Sequence, residues 1–150
     1  MTIVQDVAGV ETLVAGDKIL AIILRGSFAA DGIHFFTPDA FSQQLAYMNR
    51  PGGYVIPPHV HNPVFREVEF TREVLFIRRG RARVDFYDEN HVYLGSQIVA
   101  GGDVLLLAWG GHGFEMLEST EMIEVKQGPY VGDQDKTRFD PVSPEQLRLY

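Results

Sequence analysis

The sequence predicts an all-β, antiparallel domain, and three observations carry that expectation. Short runs of alternating or continuous apolar residues recur through the 150 positions, while hardly any stretch repeats its apolar residues at helical spacing. Gly, Pro, Asn and Asp interrupt these runs about every eight to twelve residues, the spacing of a sandwich or small barrel rather than of βαβ units. The length is that of one ordinary domain, so residues 1–150 are expected to form a single unit around one core.

In chain order, the expected strands begin with Glu11–Val14 and Lys18–Leu24, separated by Gly16-Asp17, where a positive φ is easy. Gln43–Asn49 and Tyr54–Pro57 follow, then Glu73–Arg78 and Arg81–Tyr87 on either side of Arg79-Gly80. Asp88-Glu89-Asn90 supplies an Asx-type turn before Val92–Val99, and Gly101-Gly102-Asp103 another before Val104–Ala108. Phe114–Leu117 and Met122–Lys126 complete the set, about ten strands, most neighbours expected to pair as antiparallel hairpins. The one helical candidate is a short turn at Pro144–Leu147, with Ser143 in the capping position.

Thirteen basic against twenty acidic residues leave a net charge of −7, which opposes binding to a polyanion; no nucleic-acid partner is expected. The apolar stretches fall short of the roughly 20 residues a membrane span requires, so no membrane partner is expected either. With no cysteine, disulfides, thiolate metal sites and a cysteine nucleophile are excluded. The residues from Met1 to Asp6 lack the basic and apolar regions of a signal peptide, which makes a cytoplasmic location the default expectation.

Chemistry concentrates in one constellation. His59 and His61 are two residues apart, so in an extended chain both imidazoles project from one face. Such a pair arises easily by composition, but here it sits in a larger pattern, Gly53-x5-His59-x-His61 followed by Glu73-x6-Gly80. By composition that combination has a chance on the order of 0.001. A glycine-led apolar run, Gly101 to Trp109, then leads through Gly110-Gly111 to His112.

These two segments resemble the two motifs of the cupin superfamily, over roughly residues 53 to 115. The resemblance implies an antiparallel jelly-roll barrel and one divalent metal ion, held by His59, His61, Glu73 and His112. Eleven residues separate His61 from Glu73, more than the family commonly has, and Glu67 and Glu69 in that interval compete for the carboxylate position. Glu73 is preferred because Glu73-Val74-Leu75-Phe76-Ile77-Arg78-Arg79-Gly80 matches the cupin strand and turn. Three imidazoles and one carboxylate would leave two positions open on a six-coordinate ion and suit Fe, Mn, Ni or Zn.

Open positions imply an enzyme acting on a small oxygen-rich metabolite, of dioxygenase or isomerase type. The alternative is a cupin that holds a metabolite or sugar without turnover, in polysaccharide or nucleotide-sugar metabolism; a fold alone does not choose. Glu115 and Tyr47 are candidate catalytic groups, and Gln44 a candidate substrate contact. His34 and His91 lie outside both motifs and are expected to be structural, as Arg78, Arg79, Arg81 and Arg83 are expected to be a solvated hairpin tip. Ile19–Leu24 and Val104–Trp109 offer more two-faced apolar strand than a small barrel buries easily, which predicts a homodimer.

Overall fold

The computed structural model describes residues 1–150, the side chain of Asp133 excepted. It contains eleven strands: β1 (Thr2–Val7), β2 (Val10–Ala15), β3 (Lys18–Leu24), β4 (Gly32–Phe35), β5 (Ala46–Asn49), β6 (Glu73–Arg79), β7 (Arg81–Tyr87), β8 (Tyr93–Ala100), β9 (Val104–Leu107), β10 (Gly111–Met116) and β11 (Glu121–Lys126). Two short 3-10 turns, Gly132–Asp135 and Pro144–Gln146, are the only helical elements among the described residues. No helix among them is long and apolar enough to cross a membrane. The chain divides into two compact units, one of Met1–Phe28 with Phe70–Tyr150, the other of Ala29–Glu69.

In the larger unit a six-stranded sheet has the order β1-β2-β3-β9-β6-β11 and a three-stranded sheet the order β10-β7-β8, with every ladder antiparallel. From β6 onward the chain switches repeatedly between sheets: β7 and β8 belong to the smaller, β9 to the larger, β10 to the smaller and β11 to the larger. Arg79-Gly80 is therefore a corner between two sheets rather than the expected hairpin. Gly80 has φ +85°, and an added Cβ would stand 2.7 Å from Thr120 Cα, so only glycine lets the chain pass here.

One apolar cluster joins the inward faces of both sheets. Leu13, Leu20, Ile23, Leu75, Ile77, Leu105 and Leu107 come from the larger sheet, and Ala82, Val84, Phe86 and Val99 from the smaller. The period of two explains the selection, since odd residues of β6 and β9 and even residues of β7 share the interior. Both sheets are open. β1 and β11 are the edges of the larger, β10 and β8 those of the smaller, so the expected closed barrel is corrected to two opposed open sheets. Residues 148–150 run along the β8 edge, where Ser96 N donates to Arg148 O at 2.9 Å and Tyr150 N to Ser96 O at 3.1 Å.

The apolar runs expected to form a dimer face are already covered within the chain. Leu20 to Leu24 and Leu105 to Ala108 are all buried, including Ile22 and Leu106 on the outward side of the larger sheet. Val4, Val7, Phe76, Ile123 and Val125, on the strands β1, β6 and β11, are among the large apolar residues of the larger sheet that are exposed.

A polar knot fixes the turn before β9. Arg25 donates through Nε and Nη2 to both Glu11 carboxylate oxygens at 2.8 and 2.7 Å, and through Nη1 to Asp103 Oδ2 at 3.0 Å. Asp103 in turn accepts from Gly26 N at 2.9 Å and Ala100 N at 3.0 Å. Bidentate pairing matches the planar guanidinium to the carboxylate and satisfies groups that would be costly to leave unpaired.

In the smaller unit β4 pairs with β5, placing His34 opposite Tyr47. From Met48 to Thr71 every residue is exposed, and no strand forms between Asn49 and Glu73. The expected strand Tyr54–Pro57 is thus corrected to irregular coil: Pro57 and Pro58 lack the N–H donors a ladder needs.

Candidate functional site

Glu73 opens β6 and His112 is the second residue of β10, so the two belong to different sheets. Glu73 is paired with Leu107 and His112 with Phe86, both core residues, and directly opposed ladder partners share a face. Both side chains therefore project between the sheets. They meet there, His112 Nε2 standing 3.2 Å from Glu73 Oε2.

The carboxylate is largely enclosed. The hydrogen bond from His112 holds the Glu73 carboxyl below its usual range, against the opposing effect of burial, with Lys126 and Lys136 adding further cationic support. Lys126 ends β11, opposite Glu73 in the β6–β11 ladder, with its Nζ 3.9 Å from Glu73 Oε1 and 3.3 Å from Glu124 Oε1. Gln127 continues the pairing, accepting from Arg72 N through Oε1 at 2.9 Å. Beyond it Asp135 accepts from Thr71 Oγ1 at 2.9 Å, which ties the following segment to the start of β6.

His59 and His61 lie in the smaller unit, both exposed, with ring centroids 5.3 Å apart and planes at 80°. His59 Nδ1 faces Pro57 O at 3.0 Å. A carbonyl can only accept, so this bond puts a proton on Nδ1; in the neutral ring Nε2 then carries the lone pair, the tautomer a metal ligand needs. Glu67 and Glu69 are exposed in the same segment, whereas Glu73 is the carboxylate that reaches a histidine.

The structure thus brings Glu73 together with His112, and His59 with His61. Among the described residues of either unit, no group of three or more His, Asp or Glu side chains is gathered at metal-binding distance. The converging pair nevertheless suits an ion. Two donors each about 2.1 Å from one metal stand about 3.0 Å apart at a right angle and about 3.4 Å apart at a tetrahedral one, and 3.2 Å falls between.

The other candidates stand elsewhere. Glu115 pairs with Arg83 in the β10–β7 ladder and binds Arg83 Nη1 at 2.6 Å, on the face opposite His112, so it does not stand beside His112 as expected. Arg83 also chelates buried Asp85 at 2.8 and 3.0 Å, unlike Arg78, Arg79 and Arg81, which make exposed ion pairs with Glu121 and Glu118. Gln44 bonds Thr37, Pro38 and Phe41 and so builds its own turn. Tyr47 is half-buried on β5. His34 Nε2 donates to Asp31 O at 2.7 Å, and His91 stacks on Phe139 at 4.1 Å.

Lys126 escaped the sequence reading. Its signal was available, since the chain has three lysines, and the period of two from Met122 puts Lys126 on the core-facing side of β11. No family model matches the sequence, and neither a curated protein nor a solved structure does.

Proposed function

We propose that the protein binds one divalent metal ion through Glu73 and His112 together with His59 and His61, as a cupin-type protein, and uses it on a small oxygen-rich metabolite in a dioxygenase- or isomerase-type reaction. The observation that supports this reading most is the 3.2 Å approach of His112 to Glu73 from opposed sheets. The tautomer of His59 supports it further.

Fe, Mn, Ni or Zn would supply Lewis acidity and, with a redox-active ion, a route to dioxygen chemistry. The chain's own residues do the rest. Glu73, enclosed and hydrogen-bonded, offers a carboxylate that stays ionised at neutral pH. Buried Leu75 and Leu107, which pack in the core below, keep that end of the interior apolar and exclude water from the inner side.

Metal analysis of untagged protein tests the proposal. Wild-type protein is expected to hold one equivalent of metal, and His61→Ala and His112→Ala to lose most of it, while His34→Ala keeps it. Folded His61→Ala protein with a full equivalent of metal would overturn the assignment of the histidine pair.

A further inference from the structure

We propose that β11 is a self-recognition edge: two copies of the chain pair their β11 strands antiparallel about a two-fold axis at Val125, joining two six-stranded sheets into one. The proposal does not draw on the metal reading above. It places the expected dimer at β11 instead of at β3 and β9, whose apolar residues are covered.

Four strands border open sheet edges, and three of them carry protection. Residues 148–150 run along β8, the β1 ladder is irregular between Val4 and Val7, and β10 has glycine at two of its first three positions. In contrast, β11 runs in unbroken register with β6 from Met122 to Lys126, and among the described residues β6 is its only strand neighbour. Gln127 N donates to Arg72 O at 3.4 Å, which fixes the alternation along the strand. Ile123 and Val125 therefore direct their main-chain groups to β6, and Glu124 and Lys126 direct theirs to the open side. On the outer face of the same margin, Phe76, Ile123 and Val125 are 42, 50 and 58% exposed.

Charge decides which strand fits this edge. Glu124 and Lys126 share the core-facing side of β11, since their ladder partners are Leu75 and Glu73, and they stand 3.3 Å apart with opposite signs. A two-fold axis normal to the sheet keeps the core faces of both copies on one side, so the pairing must centre on a residue. Centring on Glu124 opposes two carboxylates, centring on Lys126 opposes two ammonium groups, and centring on Ile123 sets Met122 against Glu124. Centring on Val125 alone sets Glu124 of each copy opposite Lys126 of the other, the favourable cross-strand pair.

The same register uses the open main-chain groups. Each opposed Glu124 and Lys126 exchange two hydrogen bonds, and the two Val125 side chains meet at the closer, non-hydrogen-bonded position on the outer face. Against an unrelated strand, inward-pointing charges at an edge are a deterrent. The sequence of β11 thus admits a second copy of itself and resists other chains.

Sedimentation of metal-free, full-length protein tests this. Wild type is expected at twice the chain mass of 16.8 kDa. Its dissociation constant should be on the order of 10 μM, as suits a small interface. Glu124→Lys and Lys126→Glu each oppose like charges at both pairs and should weaken the dimer about tenfold or more. An equimolar mixture of the two variants regains an opposite pair at both positions and should associate as wild type does. Val125→Lys, on the exposed outer face, should also dissociate the dimer and takes the place of a charge variant that fails to fold. Val7→Lys, on the β1 edge, is the control with no effect. Wild type that is monomeric at about 100 μM overturns the proposal. So does a wild-type dimer that persists in the folded β11 variants, or a mixture that associates no better than its components.

Discussion

Glu73 and His112 hydrogen-bond at 3.2 Å although no ladder connects their strands. Their meeting is a product of sheet packing, and the metal-free protein should show it in its acid stability. The Glu73 carboxyl lies below its usual range because His112 donates to it. A carboxyl depressed on folding contributes stability that is present above its unfolded pKa of about 4.3 and is lost as pH falls through the lower folded value. Denaturation midpoints of metal-free wild type should therefore fall more steeply below about pH 4.3 than those of Glu73→Gln. Parallel profiles for the two proteins would contradict this.

Arg25 links Glu11 to Asp103, and Asp103 holds the turn before β9. Arg25→Met would leave two enclosed carboxylates without their cation, at a cost of about 3 kcal/mol. Urea denaturation should report that loss, and Arg25→Lys should recover only part of it because a single ammonium cannot chelate Glu11.

Gly80→Ala is expected to cost well over 2 kcal/mol, since the added Cβ meets the Ser119 and Thr120 backbone at a positive φ. Gly16→Ala, also at positive φ but with nothing within 4 Å of the added Cβ, should cost about 1 kcal/mol. Thermal melts of the two variants separate strain from collision; equal losses would place the burden on φ alone.

Removing residues 143–150 would take away the backbone bonds to Ser96 and the contact of Arg148 with Tyr93. The bared β8 edge should then recruit other chains. Light scattering is expected to show concentration-dependent self-association in the shortened protein beyond that of the full chain.

Strands with clean patterns were legible in the sequence: Lys18–Leu24 and Arg81–Tyr87 form as expected, because apolar pattern and flanking turns agree. Thr2–Val7 was missed, its apolar residues Ile3, Val4 and Val7 following no steady alternation, and Gly32–Phe35 was missed because it is short and opens on glycine. Sheet membership was the harder matter. Gly80 suits a hairpin and a corner equally, and only the distant partners β9, β10 and β11 decide between them. Motif spacing singled out Glu73 and His112, and packing of the two sheets brings them within 3.2 Å of each other. Glu115 was not placed correctly, although three residues from His112 along one strand already implies the opposite face.

Phe86 stands beside His112 across the ladder, and Leu75 is two residues from Glu73. Both fill the gap between the layers, so the bulk of these side chains is the spacer that sets how far apart carboxylate and imidazole are held. The site is consequently geared to the hydrophobic interior. A methylene added or removed well away from either polar group moves carboxylate against imidazole, and their 3.2 Å separation becomes a gauge of how the interior is filled.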